Sequence, residues 1–247
     1  MPAVLVHGVP ETHEVWAPLT ARLHRDDVVA LALPGFGRPR PEGFDATKEE
    51  YVGWLIDELE ALAADGPIDL VGHDWGGGLT VRLVSIRPDL VRSWVTDAAG
   101  MASADFEWHD VAKIWQTPDA GEQLFEGQLA APPDQRGAIY ERLGVPKDLA
   151  TQMGSWADPT MADSILRLYR SAVAVGQEWA PDFVDVPAAG LVLVASEDPF
   201  LSDAGAKRSA ARAGARIAEL EGVGHWWMLQ DPERGALVLE EFWAQLG

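Results

Sequence analysis

Residues 68–78 form the segment whose residue types and spacing carry the clearest chemical meaning. They read Ile-Asp-Leu-Val-Gly-His-Asp-Trp-Gly-Gly-Gly, an apolar run that enters a Gly-x-Asp-x-Gly turn and continues with helical periodicity. A sharp strand-to-helix turn of this form lifts its central side chain above the sheet edge, and the glycines leave room for the strained backbone. The central residue is Asp74, placed at a helix N-terminus, where a negative charge is stabilised. We predict that Asp74 is a nucleophile that needs no base to deprotonate it.

Glycine-rich turns between a strand and a helix also bind phosphate in doubly wound folds. Residues 72–78 match neither the G-x-G-x-x-G nor the G-x-x-x-x-G-K-[ST] pattern, so the sequence gives a nucleotide site little support. No serine occupies a Gly-x-Ser-x-Gly turn, which excludes a serine esterase built on the same turn.

Two further residues follow in the chain order that such a turn requires. Asp198 comes directly after the apolar run 191–195, and His225 lies at 222–227 (Gly-Val-Gly-His-Trp-Trp), after the last apolar run. Nucleophile, acid and histidine in this order form a catalytic triad. We predict His225 as the base and Asp198 as the acid that orients it. Asp97, at the end of the apolar run 94–96, and Glu197 remain alternatives for the acid.

The elements that must position these residues alternate between strand and helix. Such alternation indicates βαβ units and a parallel sheet, with predicted strands at residues 3–6, 28–33, 68–71, 94–96, 191–195 and 216–220. The alternation stops at residues 100–187, which are rich in Trp, Met and Pro and contain helical patterns but no convincing strand. We predict an α/β fold with a mostly parallel sheet flanked by helices. Residues 1–99 and 188–247 form its core, and residues 100–187 form a helical cap inserted after the fourth strand.

Composition restricts the partners. The 39 acidic and 19 basic residues give a net charge of −20, whose field repels nucleic acid and anionic membranes. The chain has no cysteine, and its six histidines lack the close pairing of a metal-ligand cluster, so we predict neither metal nor cofactor. No signal-peptide pattern and no apolar run of roughly 20 residues is present, so we expect a cytoplasmic monomer or homodimer that binds a small-molecule substrate.

Taken together, these motifs resemble those of the α/β-hydrolase superfamily, in its Asp-nucleophile branch of epoxide hydrolases and haloalkane dehalogenases. The matching segments are residues 7–10 (His-Gly-Val-Pro), 34–37 (Pro-Gly-Phe-Gly), 72–77, 196–200 (Ser-Glu-Asp-Pro-Phe) and 224–226 (Gly-His-Trp), and the resemblance spans nearly the whole chain. It implies that Asp74 attacks carbon to form an alkyl-enzyme ester, which water activated by His225 then hydrolyses. It also implies an oxyanion hole formed by the backbone N–H groups of Val9 and Trp75.

The resemblance also bears on the leaving group. Epoxide hydrolases use tyrosines of the cap to donate a proton to the epoxide oxygen, and Tyr169 and Tyr140 lie in the predicted cap. Haloalkane dehalogenases usually carry Asn where this chain has Val9, although the indole N–H of Trp75 remains a donor for halide. The arginines that fluoroacetate dehalogenases carry after the nucleophile are absent.

We therefore predict a hydrolase that opens small, mainly apolar epoxides to vicinal diols. A haloalkane dehalogenase is the alternative, and a non-catalytic protein that binds a small ligand is a less favoured one. We predict that aromatic side chains line the substrate pocket, namely Trp75, Trp108, His109, Trp115 and Trp156, with packing inside the cap as the alternative role for His109.

Overall fold

A computed structural model describes the backbone of residues 1–247 and every side chain except that of Asp65. Its six-stranded sheet has the order β2-β1-β3-β4-β5-β6, and every neighbouring pair is parallel. The strands are β1 (Ala3–Val6), β2 (Val28–Leu31), β3 (Ile68–Gly72), β4 (Val91–Thr96), β5 (Ala189–Ala195) and β6 (Arg216–Leu220). The predicted fold class, a parallel sheet flanked by helices, is confirmed.

In chain order, the α-helices of the described residues are α1 (Ala17–Thr20), α2 (Lys48–Leu62), α3 (Trp75–Ile86), α4 (Asp110–Gln116), α5 (Ala120–Ala130), α6 (Pro133–Arg142), α7 (Lys147–Trp156), α8 (Pro159–Ser171), α9 (Val175–Trp179), α10 (Asp203–Ala213), α11 (Trp227–Gln230) and α12 (Pro232–Ala244). Strands β1 and β3 are buried along their whole length, as expected for parallel strands that have helices on both faces. None of the described helices combines the length and apolar character needed to cross a bilayer.

Helices α4 to α9 connect β4 to β5, and all of them fall within residues 100–187. The helix that matters most for the site is α8. Its N-cap Asp158 accepts the N–H of Met161 at 2.7 Å, and its buried face carries Met161, Ile165, Leu168 and Tyr169 at helical spacing. This face turns Tyr169 toward the ends of the core strands.

Candidate active site

Asp74 lies on the turn between β3 and α3. Its backbone adopts φ 49° and ψ −117°, a conformation rare for a residue other than glycine and worth about 1–3 kcal/mol of strain. A Cβ atom at Gly76 would overlap the carbonyl oxygens of Val6 and His7, so a glycine is needed for α3 to begin this close to β1. The strained turn holds the carboxylate of Asp74 beyond the carboxyl end of β3, with 15% of its side chain exposed.

The contacts of Asp74 give its two carboxylate oxygens different surroundings. Oδ1 accepts the backbone N–H of Val9 at 2.8 Å, whereas Oδ2 lies 3.8 Å from Nε2 of His225. The N–H of Asp74 itself donates to Oδ1 of Asp97 at 2.9 Å. Trp75, the second predicted oxyanion donor, is the first residue of α3, and among the hydrogen bonds of the described residues none joins its N–H to Asp74. One of the two predicted donors thus already contacts the carboxylate.

His225 is held from its other side by Asp198. Nδ1 of His225 lies 2.7 Å from Oδ2 of Asp198, and the second oxygen of Asp198 accepts the N–H of Phe200 at 2.7 Å. Of the alternative acids, Asp97 contacts His73 instead and Glu197 is exposed. Burial by itself lowers the pKa of His225, but the neighbouring carboxylate of Asp198 brings it above its ordinary value.

A cavity of about 770 Å³ opens above Asp74 and His225. This volume lies in the range typical of small-molecule sites. The core contributes Val9, Asp74 and His225, and the inserted helices supply much of the remaining wall. The predicted site residues Tyr140, Tyr169, His109 and Trp115 all line it, together with apolar side chains that include Phe125, Ile139, Leu143, Met161 and Phe200.

The two tyrosines lie in different surroundings. Tyr169 packs among the rings of Trp75, Trp108 and Trp115, with centroid distances of 5.5, 4.9 and 4.8 Å, whereas Tyr140 meets Trp226 edge-on at 5.1 Å. Burial raises the pKa of both phenols, and the negative charge of Asp74 adds to the effect at Tyr169. Both hydroxyls therefore keep their protons at neutral pH and are available as donors.

Three tryptophans predicted to bind substrate are not among the residues that line the cavity. Trp75 is fully buried and stacks on Trp108 at 5.7 Å, and the indole N–H of Trp108 donates to the carbonyl oxygen of Ala172 at 3.0 Å. Trp156, at the end of α7, packs against apolar core residues. The role of these three in binding substrate stays a prediction, and the packing of Trp75 and Trp108 favours a supporting role, because burial removes the apolar surface of an indole from water.

The sequence interpretation gave no role to two buried ionisable residues behind the turn. Glu11 and His73 are both fully buried, and His73 Nδ1 lies 2.5 Å from Oδ2 of Asp97. The available signal was position, since Glu11 follows the His-Gly-Val-Pro segment and His73 precedes Asp74. Buried ionisable groups are stable only when they are paired, so Glu11 and His73 need partners close by.

Residues 3–236 match the alpha/beta hydrolase family. The chain therefore belongs to this family of enzymes, and its relatives include epoxide hydrolases and haloalkane dehalogenases.

Among the relatives, the (E)-2-((N-methylformamido)methylene)succinate hydrolase of Acinetobacter baylyi is 26% identical over 200 residues, which cover 80% of this chain and 73% of that protein. The haloalkane dehalogenase of Psychrobacter cryohalolentis is 32% identical over 121 residues, 47% of this chain and 39% of that one. The crystal structure of an epoxide hydrolase from Vigna radiata superposes with a TM-score of 0.80 at 20% identity, covering 99% of this chain and 91% of that chain. That likeness shows the shared fold.

Proposed function

We propose that this hydrolase opens small, mainly apolar epoxides to vicinal diols. The observation that carries the proposal is the presence of two protonated phenols, Tyr140 and Tyr169, in the cavity that also contains Asp74 and His225. An epoxide oxygen needs a proton as its ring opens, whereas a departing halide needs only hydrogen-bond donors. Groups that donate a proton at neutral pH therefore favour the epoxide.

In the first step, Oδ2 of Asp74 forms a bond to an epoxide carbon. The carbon–oxygen bond of the ring breaks, its electron pair goes to the oxygen, and that oxygen takes a proton from Tyr169 or Tyr140. Oδ1 becomes the carbonyl oxygen of the resulting ester, and it already accepts the N–H of Val9. The product of this step is an alkyl-enzyme ester on Asp74.

In the second step, Nε2 of His225 takes a proton from water, and the water oxygen attacks Cγ of Asp74. Negative charge develops on Oδ1, where the Val9 N–H stabilises it and the N–H of Trp75 is the proposed second donor. The Cγ–Oδ2 bond then breaks, and the diol leaves with Oδ2 and the proton from His225. The new carboxylic acid returns its proton to the tyrosinate, which restores the resting enzyme.

A single-turnover experiment in ¹⁸O-labelled water tests this route. With enzyme in excess over an aryl or alkyl epoxide, the scheme requires an unlabelled first diol and one ¹⁸O atom in the peptide that contains Asp74. Label in the diol and none in Asp74 would exclude the ester. A parallel panel of bromo- and chloroalkanes tests selectivity, and halide release without turnover of any epoxide would overturn the proposed substrate class.

Haloalkane dehalogenation remains the second candidate, because Trp115 lines the cavity and its indole N–H is buried with no acceptor among the described residues. This nitrogen is not exposed to the cavity, so a halide would accept from it only after the indole ring turns. The indole N–H of Trp75 is buried in the same way, and Trp75 is not among the cavity-lining residues. Halide release that is unaffected by Tyr169→Phe would favour this candidate. Ligand binding with no adduct on Asp74 would instead favour the non-catalytic alternative.

A further inference from the structure

A group of three ionisable side chains lies directly behind the Asp74 turn, and we call Glu11, His73 and Asp97 the buried charge network. Their side chains are between 0% and 4% exposed. His73 lies between the two carboxylates, with Nδ1 2.5 Å from Oδ2 of Asp97 and Nε2 3.7 Å from Oε1 of Glu11. Although burial alone would lower the pKa of His73, the two carboxylates raise it to about 10. His73 is therefore an imidazolium at neutral pH.

The buried charge network contacts three of the core loops that contribute to the candidate active site. Glu11 accepts the N–H of Gly8, next to Val9, at 2.7 Å and the indole N–H of Trp226 at 2.7 Å. Asp97 accepts the N–H of Asp74 at 2.9 Å and the indole N–H of Trp227 at 2.8 Å. These four bonds join three segments, the loop of Gly8 and Val9, the turn of Asp74 and the loop of His225, to the same group of charged side chains.

The same network places a positive charge beside the proposed base. The rings of His73 and His225 are 4.6 Å apart between centroids. The other titratable groups near His225 are Asp198 at 2.7 Å and Asp74 at 3.8 Å, with Glu11, Asp97 and His109 further away. Burial lowers the pKa of His7 to about 3, so His7 adds no positive charge to this group.

We propose that His73 is a positioning residue whose imidazolium, held by Asp97 and Glu11, fixes these three loops and opposes protonation of His225. Two carboxylates, Asp198 and Asp74, favour the protonated form of His225, which cannot accept a proton from water. The charge on His73 opposes them, because like charges a few ångströms apart disfavour each other. A neutral side chain in its place would leave the catalytic groups present but the base protonated over more of the neutral range.

The test is the titration of His225 by NMR of protein labelled with ¹³C-histidine, with the His225→Gln spectrum identifying its signal. His73→Asn should raise the titration midpoint of His225 by about one pH unit. The signals of His73, identified by their loss in His73→Asn, should show a doubly protonated ring throughout the neutral range in the wild type. The two results together are the signature, because a loosened structure alone would not require a charged His73. His24→Asn, at an exposed histidine that contacts Glu240, is the matched control and should leave the midpoint unchanged.

An unchanged midpoint in His73→Asn, or a neutral His73 ring at pH 7 in the wild type, would overturn the inference. Should His73→Asn fail to fold, the charge state of His73 in the wild type decides alone, and a neutral ring refutes the inference. The inference rests on the proposed function for the role of His225 as base, but the titration needs no substrate. A charged His73 and a raised His225 midpoint in His73→Asn, in a protein that turns over no epoxide, would refute the proposed function and leave the influence of His73 on His225 intact.

Discussion

The core and the inserted helices contribute to the site by different means. In the core, the backbone itself positions the reacting groups, since Asp74 sits on a strained turn and Val9 contributes a main-chain N–H. In the insertion, side chains on several helices form much of the cavity wall. The groups of the core therefore depend on the loops and turns that hold them, whereas the insertion can change its lining without changing its fold.

Asp74→Ala should cause the greatest loss of activity. The proposed mechanism has no nucleophile other than Asp74. Epoxide turnover should therefore fall by at least about 10⁴-fold, as it does when the nucleophile of a comparable enzyme is removed. Steady-state kinetics with the most active epoxide of the panel provide the measurement. Circular dichroism and the thermal midpoint serve as controls for folding. A variant that keeps a few per cent of the activity would show that Asp74 does not attack the substrate.

His225→Gln should produce a smaller but more informative loss. Ester formation needs only Asp74 and a phenol, so it should proceed, while hydrolysis should slow by about 10³-fold for want of a general base. Intact-mass spectrometry should show the enzyme increased by the mass of one epoxide. The double variant with Asp74→Ala is the matched control, and an adduct that persists in it would place the ester on another residue.

Most of the strands could be predicted because they are apolar runs, and two boundary errors occur where polar groups take part in or next to the sheet. β4 begins at Val91, earlier than the predicted residue 94, because Arg92 and Ser93 are satisfied by the buried carboxylate of Asp69, at 2.8–2.9 Å and 2.6 Å. β2 ends at Leu31 rather than residue 33, since the N–H of Leu33 donates to the imidazole of His7 and not to a strand. Each of these pairings joins residues that are far apart in the sequence, so no local sequence pattern predicts it.

The candidate site divides in the same way. Asp74, Asp198 and His225 could be placed from the sequence because each follows a strand of the core, and parallel strands bring their carboxyl ends together at one edge. The direction in which a helical side chain of the insertion points depends on which neighbours cover it. Tyr169 and Trp108 are both nearly inaccessible to solvent, yet only Tyr169 lines the cavity. The amino-acid composition of the insertion does not distinguish a buried side chain that lines the cavity from one that packs behind it.

Substitution of the two tyrosines tests whether the insertion donates the ring-opening proton in addition to forming the cavity wall. Tyr169→Phe removes a donor surrounded by three indole rings and close enough to Asp74 to feel its charge, so we expect a loss of about 10²-fold in kcat for epoxides. Tyr140→Phe should cause a comparable loss if both phenols share the ring-opening proton. Pre-steady-state measurement of ester formation checks that the first step is the one affected. Equal rates in wild type and both variants would contradict a role for the phenols.

Two substitutions with modest effects separate a residue of the insertion that lines the cavity from one that packs behind the lining. Trp115 lines the cavity, so Trp115→Phe should raise KM a few-fold with little change in kcat, as expected when binding is lost equally from substrate and transition state. Trp108 contacts Tyr169 from outside the cavity and donates to Ala172, so Trp108→Phe should lower the free energy of unfolding by about 1 kcal/mol and reduce kcat more than it raises KM. Steady-state kinetics and urea unfolding measure both. The same changes of kcat, KM and unfolding free energy in both variants would show that Trp115 and Trp108 do not differ in role.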